Sequence, residues 1–273
     1  MHAANLHHIS SHKGKKMSGK ISAYFVAGGK YHDIDFARLE ILKLLAENER
    51  IRTIVAPDYS DIEGIKEADF LITYTCDVTP PEATQKALRS YVESGKTWFA
   101  LHGTNSILRF LDDGRVNSPR EAPVMMETLG SQFIAHPPIA PYTVTVSDPG
   151  HPLVKGVEPF EATDELYLSD YHGDLHALLE TKFIGKAEGF VDEDWTGDDR
   201  QLVYYTHNVG NGQVLYLTLG HCRGHYDMVP ITDYYPEIER CSWELPVFYD
   251  LLRRGIQWSV DGVDKATASA PAA

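Results

Sequence analysis

The sequence contains few cysteines. Its 273 residues include three, Cys76, Cys222 and Cys241, and no two of them form a C-x-x-C pair. An odd number of widely spaced cysteines argues against a disulfide framework and favours a reducing compartment. We therefore expect a cytoplasmic protein whose fold depends on its core and not on covalent cross-links.

Long apolar runs are also missing. No stretch approaches the roughly 18 to 20 apolar residues that a membrane-spanning helix needs, so no membrane partner is expected. Residues 1–19 are polar and basic and lack the apolar segment of a secretory signal, and we interpret them as a disordered or vector-derived leader. Residues 263–273 are rich in small side chains and are interpreted as a flexible tail. A single domain is expected over residues 20–262.

Positive charge is scarce. Lysine and arginine number 25 against 39 aspartates and glutamates, which gives a formal net charge of −14. A field of that sign repels phosphate backbones and anionic lipid surfaces, so nucleic acid is not expected as a partner. A neutral, hydroxyl-rich or cationic small molecule suits this chain better.

Strands and helices alternate in the first part of the chain. Apolar runs predict strands over residues 21–27, 51–56, 69–75 and 96–101, and helical spacing predicts helices over 36–46 and 80–94. This alternation is typical of an α/β fold with a parallel sheet and helices on both faces.

The second part is richer in strand patterns. Residues 142–147, 161–169 and 182–188 are predicted to be extended. The runs 202–207 and 213–219 are joined by a turn with two glycines, which indicates an added β-hairpin. An amphipathic helix is predicted over residues 244–260.

In a parallel sheet, ligands bind outside the carboxyl ends of the strands. The first strand is followed by Gly28-Gly29 and then by His32 and Asp33. The full G-x-G-x-x-G pattern and the P-loop lysine pattern are both absent, so no nucleotide cofactor is expected. His32 and Asp33 are site candidates, although a loop histidine that caps the next helix is an equally good interpretation.

The fourth strand is followed by His102, Gly103 and Thr104. A hydrolase or an amidotransferase of this architecture would carry its nucleophile at this turn, but neither serine nor cysteine occupies it. An imidazole there suits general base catalysis or metal ligation. The alternative is a buried histidine that is hydrogen-bonded to the backbone.

Two further motifs follow predicted strands. Glu165, with Tyr167 nearby, could ligate a metal or pair with His102, although adjacent acidic residues are more often a solvated turn. His221 and His225 follow the hairpin with H-x3-H spacing, but the glycines around them favour a loop, so this spacing is not diagnostic of zinc. His136 precedes a proline and is interpreted as a structural turn residue that could still reach a site.

Taken together, these motifs resemble those of a known family. They occur in this order: Gly28-Gly29 with His32-Asp33; Leu101-His102-Gly103; His151-Pro152 and Gly156 with Asp164-Glu165 and Tyr167; and Gly212, Val214, Tyr216 and Leu219 before Gly220-His221. Over roughly residues 20–262 the sequence is similar to the ThuA-like (trehalose-utilisation) family. The resemblance implies a flavodoxin-like, class I glutamine amidotransferase-like three-layer sandwich that has a mostly parallel sheet and lacks the amidotransferase nucleophile.

The resemblance also implies a role in carbohydrate catabolism, beside oxidoreductases that make 3-oxo sugars, and a divalent metal, with zinc as the candidate. The matching ligand positions are His102, Glu165 and His221, with His32 as a fourth. The sequence departs from the family pattern at residues 202–207, where a Pro-Val-x-Trp stretch is expected, and this leaves the substrate open.

The first hypothesis is an enzyme that isomerises, eliminates from or cleaves a sugar, a 3-oxo sugar or a glycoside. His102 or His221 is then a base or a ligand, Glu165 a ligand or an orienting acid, and Tyr167 a hydrogen-bond donor. The predicted substrate-binding residues are His32, Asp33, Thr104, His225 and Tyr226.

The second hypothesis is a non-catalytic carbohydrate-binding protein or a partner subunit of a sugar oxidoreductase, and a homo-oligomer is also considered. An amidase or glutaminase is the least favoured interpretation.

Overall fold

The computed structural model describes residues 19–269, so all of the predicted leader except Gly19 lies outside the described residues. The described part contains five helices, which are α1 (Ile34–Ala46), α2 (Ile62–Glu67), α3 (Glu82–Glu93), α4 (Pro123–Leu129) and α5 (Pro246–Ser269). It also contains fifteen strands, which are β1 (Ile21–Gly29), β2 (Ile51–Ala56), β3 (Phe70–Cys76), β4 (Thr97–Leu101), β5 (Arg109–Phe110), β6 (Val116–Asn117), β7 (Ser131–Ala135), β8 (Ala140–Val146), β9 (Phe160–Asp164), β10 (Leu168–Tyr171), β11 (Leu175–Lys182), β12 (Gly185–Lys186), β13 (Asp194–Trp195), β14 (Arg200–Val209) and β15 (Gly212–Leu217).

Nine strands form one sheet in the order β2-β1-β3-β4-β15-β14-β11-β8-β9. The first five of these run parallel to one another, and the remaining four continue the sheet by antiparallel pairing. The order of the parallel half corresponds to the flavodoxin-like order 2-1-3-4-5. The predicted α/β, flavodoxin-like fold is therefore confirmed, with the hairpin of β14 and β15 at the centre of the sheet.

Helices cover both faces of the parallel half. On one face α1 and α5 pack on side chains such as Phe99, and on the other α2, α3 and α4 pack on side chains such as Trp98. Successive residues of a strand point to opposite faces, which is why these two neighbours belong to different layers. Every residue of β3 and β4 is buried, as expected for strands that are covered on both sides. The result is the expected three-layer sandwich.

The predicted strands and helices of the parallel half are confirmed, with small shifts at their ends. The first helix begins at Ile34, earlier than expected, because the Asp33 carboxylate accepts a hydrogen bond from the backbone N–H of Phe36 at 3.1 Å and so caps it. The hairpin turn is only two residues long, and Gly210 adopts a φ of +60° there. The final helix continues to Ser269, beyond its predicted end at residue 260.

The largest difference concerns the extended segment predicted over residues 161–169. It consists of two strands in different sheets, since β9 ends the large sheet and β10 pairs with β7 in a separate two-stranded sheet. The intervening residues 165–167 carry the chain from one sheet to the other. The elements α2, α4 and β7 are not anticipated by the sequence pattern, because all three are short and β7 is also buried throughout without alternation. Strand β11 overlaps the extended segment predicted over residues 182–188 only at Lys182.

Within residues 19–269, none of the helices combines the length and the apolar character that crossing a bilayer requires. The four adjacent strands β1, β3, β4 and β15 all end at the same edge of the sheet. The segments that follow β1, β4 and β15 carry His32, His102 and His221 to that edge.

Candidate metal centre

Four buried side chains converge at the carboxyl edge of the parallel strands. His32, His102, Glu165 and His221 each offer one ligand atom, and these atoms all lie within 4.8 Å of one another. The relative exposure of each residue is 6% or less, and that of His102 and His221 is zero. The sequence indicates these residues as possible ligands or site residues, and the fold brings all four together.

The backbone turns sharply to place the His102 side chain. His102 begins a short 3₁₀ turn directly after β4 and has a φ of +44°, a left-handed conformation that is uncommon for a residue with a side chain. The next residue is Gly103, where a Cβ would approach the carbonyl oxygen of Thr75 to 2.7 Å. Backbone of this kind persists where the surrounding structure holds it and clusters at functional sites.

Each imidazole is anchored through the nitrogen that faces away from the cluster. Nδ1 of His102 lies 2.8 Å from the Thr218 carbonyl oxygen, and Nδ1 of His32 lies 3.3 Å from that of Lys30. Nε2 of His221 lies 2.8 Å from the carboxylate of Glu239. Because these oxygens only accept hydrogen bonds, the outer nitrogen of each ring carries the proton that it donates. This is the arrangement of metal-ligating histidines, which donate their second N–H to a carbonyl or a carboxylate.

The inner nitrogens face one another and the Glu165 carboxylate. Nε2 of His32 is 2.8 Å from Nε2 of His102 and 3.2 Å from Nδ1 of His221. The Glu165 oxygens lie 3.0 Å from the inner nitrogen of His221 and 3.5 Å from that of His102. Lone pairs at these separations repel one another unless a proton or a cation lies between them. A tetrahedral ion with bonds of about 2.1 Å separates its ligand atoms by about 3.4 Å, so the cluster fits a metal ion.

The protonation preferences of the cluster agree with that fit. Burial lowers the pKa of His32 well below its usual value and also lowers that of His102, which keeps both rings neutral. Burial alone would raise the pKa of Glu165, but the charge of His221 and its hydrogen bond outweigh burial and hold this pKa well below the usual value. Burial lowers the pKa of His221, whereas the charge of Glu165 and hydrogen bonds to Glu165 and Glu239 raise it to about 9. Without a metal, the His221 ring is therefore protonated on both nitrogens, which face the carboxylates of Glu165 and Glu239.

Asp164 fixes the relative positions of these residues. Its buried carboxylate accepts backbone N–H hydrogen bonds from Glu165 at 2.8 Å and His221 at 3.1 Å. It also accepts from Gly220 at 3.0 Å and from Ser242 at 3.2 Å. One carboxylate thus joins the end of β9 to the segment after β15. The sequence shows Asp164 beside Glu165 but gives no sign of this role.

A cavity of about 270 Å³ lies beside the cluster, and His32 and Glu165 are among the residues that line it. This volume is near the lower limit of ordinary small-molecule pockets. Its polar wall includes His32, His136, Glu165, Tyr167 and Arg223. Its apolar wall includes Tyr31, Phe110, Phe133 and Phe190. A lining of both polar and aromatic side chains suits a ring that has hydroxyl groups at its edge and an apolar face.

Two side chains of the polar wall extend the cluster. The hydroxyl of Tyr167 lies 3.3 Å from Nε2 of His102, and burial raises the pKa of this tyrosine well above its usual value, so it remains a hydrogen-bond donor. The guanidinium of Arg223 donates to Glu239 at 2.9 Å, and its Nη2 lies 3.8 Å from Glu165. Arg223 and Glu239 are not predicted as site residues, since they carry no motif of their own. Asp164 belongs to the motif of Glu165 but is not predicted as a site residue either.

Four predicted substrate-binding residues make other contacts. Asp33 caps α1 and pairs with Arg240 at 2.9 Å. The Thr104 hydroxyl is hydrogen-bonded inside the fold to the carbonyl of Leu101 at 2.8 Å. The His225 ring stacks on Tyr234, and Tyr226 is 71% exposed. None of the four lines the cavity, whereas His136, interpreted from the sequence as a structural turn residue, does.

Comparison with known proteins gives one family and several structural neighbours. The sequence model of the ThuA family, described as trehalose utilisation, matches residues 23–234. A ThuA-like protein from Bacteroides uniformis ATCC 8492 superposes with a TM-score of 0.61 at 19% identity, over 92% of this chain and 96% of that one. A ThuA-like protein from Parabacteroides merdae ATCC 43184 gives a TM-score of 0.56 at 19% identity, over 89% and 91%.

A GMP synthase-type protein from Thermoplasma acidophilum also superposes, with a TM-score of 0.50 at 10% identity, over 92% of this chain and 99% of that one. At these identities the neighbours show the fold alone, and they support the amidotransferase-like architecture. No curated protein matches the sequence.

Proposed function

Since the chain belongs to the ThuA family, which is described as trehalose utilisation, we propose that it is an enzyme of carbohydrate metabolism that acts on a sugar or an oxidised sugar. One observation carries the proposal. Three imidazoles and a carboxylate converge beside a small cavity, and the outer nitrogen of each ring is fixed by an acceptor. A purely structural role gives no reason to bury so many ligand atoms face to face.

The ion that we propose for this cluster is divalent, and zinc is the first candidate. Imidazole and carboxylate together suit zinc and neighbouring transition metals. His32, His102, Glu165 and His221 would hold the ion. When bound, it would polarise a carbonyl or hydroxyl oxygen of a molecule in the cavity.

The substrate class that we propose is a 3-oxo sugar or its glycoside. The hydrogen on the carbon beside a ketone is acidic, and its removal allows isomerisation, or elimination of a glycosidic oxygen. Tyr167 stands at the cavity as a donor for a substrate oxygen. An oxidoreductase must supply such a ketone, so an oxidoreductase partner belongs to the same proposal.

The cysteines give no support to amidotransferase chemistry. Cys76 lines the cavity, but burial raises the pKa of its thiol well above the usual value. Burial also raises the pKa of Cys222 to about 12. A thiol that stays protonated is a poor nucleophile.

Two measurements on one preparation test the proposal. The protein is purified without a histidine tag and without residues 1–16, because histidines of the leader can bind metal. Elemental analysis should find about one divalent ion per chain, and incubation with 3-oxo glycosides should give product by mass spectrometry. A metal-free protein with full turnover would refute the metal-assisted version. Sugar binding without any turnover would instead support a carbohydrate-binding role.

A further inference from the structure

The proposed metal centre leaves the reaction without a base. The inner nitrogens of His32, His102 and His221 face the ion, and their outer nitrogens donate to protein oxygens. A ring whose two nitrogens are both engaged cannot take a proton from a substrate. Of the residues that line the cavity, His136 is the histidine that is not a candidate ligand.

His136 has the geometry for that task. Its Nδ1 lies 2.7 Å from the carbonyl oxygen of Pro137 and donates its N–H there, so Nε2 takes no part in that hydrogen bond. Nε2 lies 3.5 Å from the nearer oxygen of Glu165, which is beyond an ordinary N–H···O hydrogen bond. Nε2 of His136 therefore lies beside the cluster without forming an ordinary hydrogen bond to it.

The surroundings of His136 hold the ring at the cavity wall. Phe190 packs edge-on against it with ring centroids 5.0 Å apart, and Phe133 lies at 6.0 Å. The side chain is 23% exposed, whereas those of His102 and His221 are fully buried. Because His136 lines the cavity, a small molecule there can contact its ring.

We propose that His136 is the catalytic residue that moves the proton, an assignment that rests on the proposed function. The C–H bond beside the ketone breaks and its proton passes to Nε2 of His136. The electron pair forms a carbon–carbon double bond while the carbonyl π pair moves to the oxygen. In isomerisation His136 returns the proton to the former carbonyl carbon, while the hydroxyl proton of the deprotonated carbon passes to the enolate oxygen and a ketone forms at that carbon. In elimination the enolate re-forms the ketone, the bond to the glycosidic oxygen breaks, and His136 delivers its proton to that oxygen.

Deuterium exchange separates this role from metal binding. We compare the wild type with H136Q, and with H151Q as a matched control, since His151 also precedes a proline but does not line the cavity. In D₂O, the wild type and H151Q should incorporate deuterium beside the ketone of a 3-oxo glycoside. H136Q should keep its metal content and lose exchange and turnover by about 100-fold or more.

Each outcome decides one of the two proposals. H136Q with exchange within a few-fold of the wild type, or with its metal lost, overturns the His136 assignment alone. A metal-loaded wild type that neither exchanges nor converts any oxidised sugar overturns the proposed function and the assignment with it. As a second variant, H136A should regain exchange when free imidazole is added, a rescue that a merely structural role would not show.

Discussion

The two halves of the large sheet contribute to the candidate site in different ways. In the parallel half the topology itself places candidate ligands, because the strands end at one edge and three of the segments that follow carry histidines. In the antiparallel half Glu165 comes from an irregular connection, at the place where the chain leaves the large sheet for a two-stranded one. Regular topology thus positions most of the candidate metal ligands, and a local irregularity completes the set.

The largest expected effect comes from removing a ligand of the parallel half. H102A should lower metal affinity by more than about 100-fold, since even groups that only support ligands contribute about 10- to 100-fold. Competition with a fluorescent chelator measures this. H176A is the control, because His176 is a surface histidine whose side chain is 55% exposed. Unchanged metal affinity in H102A would show that His102 is not a metal ligand.

The connection between the two halves is tested through Asp164. D164N should lower the free energy of unfolding by about 2 kcal/mol, because the amide NH₂ would face backbone N–H groups that now donate to a carboxylate oxygen. Urea unfolding gives the value. D113N is the control, since Asp113 is exposed and accepts a hydrogen bond from the backbone N–H of Arg115. A loss no larger than in D113N would show that the halves hold together without this carboxylate.

A third contributor lies outside both halves, in the irregular segment after β15. E239Q should weaken metal binding by about 10- to 100-fold, since the amide is a weaker acceptor for the outer N–H of His221. The exposed neighbour Glu237 provides the control variant E237Q. Equal metal affinity in E239Q and E237Q would show that the site consists only of residues at the sheet edge and of Glu165, where the chain crosses between sheets.

The smallest expected effect concerns acid sensitivity in the antiparallel half. Burial lowers the pKa of His207 below the 6.5 of a free histidine, so the unfolded chain binds the proton more readily than the folded one. Stability should therefore fall as the pH drops through about 6.5. H207Q should show a smaller fall in urea midpoint between pH 7.5 and 5.5. The same fall in both proteins would assign the acid sensitivity to other groups.

The same division separates what the sequence can predict from what it cannot. Strands β1 and β4 stand out as apolar runs, and the residues after a parallel strand are recognised by position alone, so His32 and His102 are predicted. His136 is placed among structural residues because β7 is a short buried strand without alternation. Thr104 is predicted to bind substrate, but the 3₁₀ turn that exposes His102 to the cluster directs the next side chains into the core.

Contacts of long sequence separation are not accessible to pattern reasoning. His32 and His221 are 189 residues apart, and Glu239 reaches His221 across an irregular segment. Asp164 shows the limit most clearly. Its partners in space come from three separate stretches of chain, and no periodicity or motif of one stretch indicates the others.

The place of β15 between β4 and β14 has a consequence for how the protein folds. This strand is the last of the sheet in chain order and yet lies at its middle, so the two halves cannot close before it is inserted. Closing a loop between residues far apart in the sequence is slow, because the chain loses conformational entropy before the stabilising contacts form. The ligands after β1, β4 and β15 therefore meet late in folding. The rate at which the refolding chain captures an ion would therefore report the rate of the final closing step.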